Sequence, residues 1–257
     1  MTERQIQTAL LAAGVENASG EATLLAKKFT GEALAGAVAR RCQGYPLQYL
    51  LGEWVFYRET YEVSEDCLIP RSDTEILVEK AVSFLPQGAN FLDLCTGSGC
   101  IAISTLCARP DASAVAVDVF ARTLALAGRN ACRNRVGERV HFLQADVLAP
   151  PPATLQQSTF DAILCNPPYI CADIMPTLQR EVRHEPAAAL CGGADGLDFY
   201  RAVLARWRSL LTPGGFFLFE IGYDQAAALT WLGEKYGFSA TVWRDYGGND
   251  RVVKLEK

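Results

Sequence analysis

Along residues 1–44, apolar positions recur at helical spacing: Ile6, Leu10 and Leu11, then Leu24, Leu25 and Phe29, then Leu34, Val38 and Ala39. A period near 3.6 gathers such residues on one side of a helix. Gly14, Gly20 and Gly31 punctuate the stretch, so it reads as a small N-terminal bundle of short helices. In "EWVFYRETYEVSEDCLIP" (53–70) the pattern turns aromatic and β-branched, which predicts a strand pair. Residues 45–72 are therefore read as a β-hairpin linker.

From residue 73 onward, strand-like and helix-like runs alternate. "TEILVEKAVSFL" is helical, "NFLDL" a short buried strand, and "CIAISTLCAR" a helix. "SAVAVDV", "RVHFLQAD", "FDAILC" and "GGFFLFEIG" read as further strands; "ARTLALAGRNACRN", "LDFYRAVLARWRSLL" and "DQAAALTWLGEKY" read as helices. "FSATVWRD" and "RVVKLEK" close the chain as an antiparallel pair. Such alternation predicts an α/β domain over 73–257, doubly wound around a mainly parallel, Rossmann-like sheet. Ligands in these sheets bind beyond the carboxyl ends of the strands, near the point where strand order reverses.

Composition narrows the partners. Half of the 257 residues are hydrophobic, 21% are charged, and the net charge is −5, so no global basic footprint for a phosphate backbone exists. Arg129, Arg133, Arg135 and Arg139 form a local basic run, read as the solvated end of a helix. Nine cysteines without a CxxC pair and two distant histidines, His141 and His184, argue against a zinc site and for a reducing compartment. The N-terminal "MTERQIQTALLAAG" lacks an apolar signal core, and no run approaches a membrane span. The expectation is a cytoplasmic, monomeric protein without metal.

Three motifs fall at strand ends. "FLDLCTGSGCIAI" sets Gly97 and Gly99 between a strand and a helix, where a ligand can approach the backbone closely. Its spacing with Ala102 also satisfies the dinucleotide form G-x-G-x-x-A, so the loop alone does not separate NAD from S-adenosylmethionine. Asp118, one βα unit later, suits a ribose hydroxyl in either case. Asp93 before the loop would favour an ammonium group over a pyrophosphate, or it caps the loop. Asp146, ending the third strand of this domain, accepts from an adenine amino group or caps a helix. Together these residues favour S-adenosylmethionine.

The third motif is "NPPY", residues 166–169, after the apolar run "AILC". Pro167 and Pro168 fix φ and remove two donors, aiming the carbonyls rigidly. Asn166 adds an amide oxygen acceptor. A planar –NH2 group whose lone pair is delocalised is a poor nucleophile. Accepting its two hydrogens from the Asn166 side chain and the Pro167 carbonyl orients it and favours positive charge on the nitrogen. Tyr169 can pack on the planar group.

At this point the chain resembles the release-factor glutamine N5-methyltransferase family. "PLQYLLGEWVFY", "LIPRSDTEILVE", "LDLCTGSGCIAI", "NPPYI", "EVRHEPAAALCGGADGLDFYR", "LTPGGFFLFEIGYDQ" and "DYGGNDRVV" occur in that family's order over nearly the whole chain. The resemblance implies methyl transfer from S-adenosyl-L-methionine to the glutamine of the Gly-Gly-Gln loop of peptide chain release factors. It implies a cofactor loop of Cys95, Thr96, Gly97, Ser98 and Gly99, with Asp93, Asp118, Asp146, Val147 and Asn166 completing the cofactor site. Asn166, Pro167, Pro168 and Tyr169 would receive the glutamine. Arg71, Asp73 and Glu75 match a segment bordering that site, or they start a helix. Glu181 and Arg183 match the segment after NPPY, or they form a surface ion pair.

Three positions depart from the family pattern: Cys95 stands where glycine is usual, Ser72 for a proline, and Val147 for an aromatic. The segment 1–44 is also short for the domain that, in the family, helps recognise the release factor. The alternatives are an adenine-N6 methyltransferase on DNA or RNA and a non-catalytic cofactor-binding protein. The first would call for a basic surface or a target-recognition domain; the intact Gly97, Asp118, Asn166 and Tyr169 argue against the second.

Overall fold

The computed structural model describes residues 1–257. Four helices come first: α1 (Glu3–Ala12), α2 (Ala18–Lys28), α3 (Gly31–Cys42) and α4 (Leu47–Leu51). Thr2 and Gln5 close a capping box at the start of α1, which satisfies two amide donors left over at a helix start. Ile6, Leu10, Leu25, Leu34 and Val38 are buried, but Leu11, Leu24 and Ala39 are exposed. A few short helices bury only a narrow stripe, so neighbours one residue off that stripe face solvent. Gly20 lies inside α2 rather than ending a helix; its amide donates to the Asn17 cap. The helical unit also runs past residue 44, because Leu47 and Leu51 of α4 join the same apolar cluster.

A hairpin follows, β1 (Glu53–Phe56) and β2 (Glu59–Glu62), shorter than the 53–70 stretch suggested. Then come α5 (Glu75–Phe84), β3 (Asn90–Leu94), α6 (Cys100–Ala108), β4 (Ser113–Asp118), α7 (Ala121–Arg133), β5 (Val140–Gln144) and β6 (Phe160–Cys165). The chain ends with α8 (Asp198–Arg206), β7 (Leu211–Glu220), α9 (Ala226–Lys235), β8 (Ser239–Arg244) and β9 (Asp250–Glu256). Seven strands form one sheet in the order β5-β4-β3-β6-β7-β9-β8. Pairing is parallel from β5 to β7, and β9 is antiparallel to both β7 and β8.

The sheet is buried on both faces, which explains its continuous apolar strands. Phe91, Leu164, Phe216 and Leu218 pack with α5 and α6 on one side. Leu92, Ile163, Phe217 and Phe219 pack with α8 and α9 on the other. Strand order reverses between β3 and β6, so residues 95 and 166 emerge side by side at the carboxyl edge.

The basic run is solvent-exposed at Arg129, Arg133 and Arg135, as a solvated helix end should be, and it also carries ion pairs. Arg129 pairs with Glu62 and Arg133 with Glu53, both on the hairpin, and Arg139 donates to the carbonyls of Leu106, Arg109 and Ala112. Asn130, fully buried, accepts from the Glu62 amide and donates to the carbonyls of Glu62 and Ser98. The hairpin is thereby fastened to α7 and to the glycine loop. No helix is long and apolar enough to cross a membrane.

Candidate active site

At the reversal point lies a cavity of about 280 Å³. Its wall includes Cys95, Thr96, Gly97 and Ser98 after β3, Asp118 after β4, Asp146 and Val147 after β5, and Asn166 and Pro168 after β6. Arg71 and Thr74 line it from the approach to α5. Residues from these five parts of the chain thus converge where the topology leaves a crevice.

The glycine loop turns through three left-handed positions alternating with Thr96 and Ser98: Cys95 at φ 60°, Gly97 at 55° and Gly99 at 83°. At Gly99 the small residue also matters for packing, since a Cβ would sit 2.8 Å from Ile103 Cδ1. Cys95 is the one member of the three with a side chain, and it carries the steric cost of that conformation. The departure from glycine at 95 therefore falls where the backbone asks for glycine.

Asp93 does not reach the cavity wall. It is fully buried; its Oδ2 accepts from Thr96 Oγ1 at 2.6 Å and from the Ala102 amide at 3.2 Å. Its Oδ1 has no partner, and burial pushes its pKa to about 7. In this geometry it braces the loop from behind. Asp118 lines the cavity, with Oδ2 accepting from the Gly97 amide at 3.1 Å and Oδ1 from the Phe120 amide at 3.1 Å. Burial raises its pKa, opposed by those amides. Asp146 caps no helix: its Oδ1 accepts from the Leu148 amide at 2.8 Å in a two-residue side-chain turn, and no helix begins there. Val147 is buried, with its carbonyl accepting from Trp207 Nε1.

Past β6, Pro167 and Pro168 are buried and Asn166 is half-buried. Asn166 Nδ2 donates to Thr74 Oγ1 at 3.2 Å, and its Oδ1 accepts nothing from the protein. Tyr169 is not in the cavity wall; its hydroxyl donates to Glu220 Oε1 at 3.4 Å, and burial raises its pKa. The turn is clamped from outside by the glycines of "CGGADG". A Cβ at Gly196 would fall 2.3 Å from the Tyr169 carbonyl oxygen, and Gln225 Nε2 donates to both carbonyls. No side chain other than hydrogen fits there.

The flanking matches divide. Arg71 lines the cavity and is paired with buried Glu185, which also accepts from the Ile69 amide at 3.0 Å. Asp73 does not cap α5; it lies 3.4 Å from Arg251. Glu75 turns away to accept from the amide of Tyr57, a hairpin residue at φ 57°. Glu181 and Arg183 do not pair with each other: Glu181 accepts from Arg41 at 2.9 Å and Arg183 donates to the Leu178 carbonyl.

Several lining residues were not singled out: Asp66 and Phe120 lie outside the family segments, and Thr74, Ala188 and Phe199 lie inside them without a role assigned. The uncapped start of α7 was a usable signal, because Phe120 stands at a helix N-cap where Ser, Thr, Asp or Asn is favoured. Phe120, Val119 and Leu148 are each more than a third exposed, forming an apolar ledge beside the cavity. Ser98, also in the wall, has its Oγ buried without a partner. The charged lining is Asp66, Asp118 and Asp146 against Arg71 alone. That balance suits a cationic sulfonium nucleoside and opposes a pyrophosphate. The residues present therefore fit S-adenosylmethionine.

Residues 72–184 match the family model described as a methyltransferase small domain. The chain is 42% identical to the release factor glutamine methyltransferase of Geobacter sulfurreducens, over 86% of this chain and 76% of that protein. It is equally similar, at 42%, to the protein of the same name from Moorella thermoacetica, over 84% of this chain and 76% of the other. Among solved structures, a methyltransferase from Pyrococcus furiosus superposes with a TM-score of 0.58 at 19% identity, covering 77% of this chain and 88% of that one. This last likeness shows the fold.

Proposed function

The chain belongs to the release factor glutamine methyltransferase family, and on that premise we propose that it methylates the side-chain amide nitrogen of a glutamine in peptide chain release factors. The glutamine would be that of the Gly-Gly-Gln loop. The observation that carries the reading is Asn166, whose Nδ2 is held by Thr74 while its Oδ1 accepts nothing from the protein. A fixed acceptor beside a nucleoside-sized cavity is what an amide nucleophile needs.

S-adenosylmethionine, when bound, supplies an electrophilic methyl group on a positively charged sulfur. Gly97, Ser98, Asp118 and Asp146 would hold it by polar contact, and Val119, Phe120, Val147 and Leu148 by apolar contact. Asn166 Oδ1 and the Pro167 carbonyl accept the two hydrogens of the glutamine amide. Both are acceptors with no proton to give, so they favour the nitrogen as it gains positive charge. The two prolines keep that geometry from relaxing around the unmethylated substrate. Because these carbonyl groups need no reorganisation during the reaction, their help is concentrated in the rate of methyl transfer.

Single-turnover labelling with a radioactive methyl donor tests the reading, offering a release factor and, separately, duplex DNA. Label on the Gly-Gly-Gln glutamine, located by mass spectrometry, is the expected result. Label on adenine with none on the release factor would replace it by the nucleic-acid alternative.

A further inference from the structure

Arg71 is the one cation in the wall of the cavity, and the chemistry described so far gives it no task. Its Nη2 donates to Glu185 Oε1, and Glu185 Oε2 accepts from the Ile69 amide at 3.0 Å. The Glu185 side chain is 1% exposed, so packing fixes it as well as its two donors do. It thereby holds the guanidinium at one side of the cavity. A guanidinium carries five N–H donors. Only Nη2 is engaged by the protein; Nε and Nη1 have no partner in it, and 37% of the side chain's surface stays open.

A fixed guanidinium with free donors selects for an anion. The two ligands of the proposed reaction differ in this respect. A Gly-Gly-Gln segment within a protein presents amides and no ionised group. S-adenosylmethionine carries a sulfonium and an ammonium group, both positive, and one carboxylate. Asp66, Asp118 and Asp146 in the wall suit the positive groups and repel the carboxylate. None of the three neutralises Arg71, whose sole ion pair is with Glu185. The start of α6 is the other feature that favours an anion, but the Ala102 amide there is already taken by Asp93.

We propose that Arg71 anchors the carboxylate of S-adenosylmethionine, aimed at it by Glu185, and so serves the cofactor rather than the glutamine. This rests on the reading of the cavity as an S-adenosylmethionine site. The planar fork offers a carboxylate two N–H donors at once, which a lysine does not. The site therefore distinguishes the complete amino-acid end of the cofactor from a form that keeps the nucleoside, the sulfonium and the amine but lacks the carboxylate.

Calorimetry on the full chain tests this with three ligands: S-adenosylmethionine, S-adenosylhomocysteine and decarboxylated S-adenosylmethionine. The native protein should bind the decarboxylated ligand roughly 10- to 100-fold more weakly than S-adenosylmethionine, the scale of a hydrogen bond between charged groups. Arg71→Met, which keeps the stem, should weaken the two carboxylate-bearing ligands by a similar factor. It should leave the decarboxylated ligand unchanged or bind it more tightly, because a cation that repels its positive groups has gone. Arg71→Lys, a charge without the fork, should fall between native and Arg71→Met. Arg71→Met strands the buried Glu185; if it fails to fold, Arg71→Met combined with Glu185→Gln removes both charges and should give the same ligand pattern. Equal losses on all three ligands, or a loss on none, would overturn the proposal. Native cofactor affinity with a raised KM for the release factor would also overturn it, returning Arg71 to the substrate. If the native protein binds none of the three ligands, the cofactor reading beneath falls. If native and Arg71→Met bind S-adenosylmethionine equally well, only the carboxylate anchor falls.

Discussion

The guanidinium of Arg41, on α3, donates to Glu181 across 2.9 Å and binds the N-terminal helices to the segment that follows the asparagine turn. The same group forks onto Glu21 of α2 through Nε and Nη2. Its 7% exposure makes this a partly desolvated network. Nearby, Gly44 packs against the Arg180 side chain and Tyr45 meets His184 with ring centres 5.4 Å apart. The helical unit is therefore also a wall for the loop beside the site. Arg41→Ala should cost about 1–3 kcal/mol in urea denaturation, because Glu21, only 13% exposed, loses its partner. Arg41→Met, which keeps the stem packing, should cost less.

Asn166 gives the sharpest kinetic prediction. Asn166→Ala should lower kcat by roughly 10²-fold or more in an otherwise folded protein. Asn166→Asp keeps an acceptor oxygen but removes the Nδ2 donor to Thr74 and adds a negative charge. Calorimetry should show cofactor binding retained, and labelling should show most turnover lost.

Asp118→Ala should weaken S-adenosylmethionine binding by roughly 1.5–3 kcal/mol, the range for hydrogen bonds to a charged group. Part of that loss comes from the loop, since Asp118 also fixes the amides of Gly97 and Phe120. Unchanged affinity by calorimetry would remove Asp118 from the cofactor site.

Cys95 should be ranked by backbone tolerance rather than by polarity. Its φ of 60° is open to glycine and strained for a β-branched residue. Cys95→Gly should stay within about 1 kcal/mol of native stability, relief of strain offsetting the added chain entropy and the lost thiol packing. Cys95→Val should cost roughly 2 kcal/mol or more by thermal or urea denaturation.

Asp93 links stability to pH. Its folded pKa is about 7, above the 3.8 of the free carboxylic acid. The folded state therefore binds the proton more tightly than the unfolded state. That stabilisation is complete below about pH 4 and is lost as pH rises through about 7. Asp93→Asn cannot ionise, so its stability relative to native should climb between pH 4 and pH 8 by on the order of 2–4 kcal/mol. The change with pH is the diagnostic, because the amide carries a constant cost of its own at the unpartnered Oδ1 position. Parallel denaturation curves for the two proteins at every pH would reject the assignment.

Alternation of apolar strands with helices was readable from the chain, because side-chain period and turn chemistry are local properties. The strands and helices from "NFLDL" to "RVVKLEK" lie within a few residues of where periodicity puts them. So do the glycine loop and "NPPY", each at a strand's carboxyl end. The reading ran out where a local pattern fits two answers or where partners are distant. Asp146 reads either as an adenine acceptor or as a helix cap, and the structure removes the second by closing a turn with Leu148. The arginine run reads as solvated, and it is exposed, but its partners Glu53 and Glu62 on a distant hairpin are not written in the local pattern.

What only the tertiary structure decided is who faces whom across the sheet. Asn166 meets Thr74 over 92 positions of sequence, and Arg41 meets Glu181 over 140. These contacts depend on β6 lying between β3 and β7, an order that no local pattern encodes. The same order turns Asp93 inward to brace the loop and brings Phe120, unmarked by any motif, to the rim of the cavity. The sequence by itself determined which elements form and which turns end them. The burial of both sheet faces then selected one strand order, and that order chose the partners of the polar groups left at its edge.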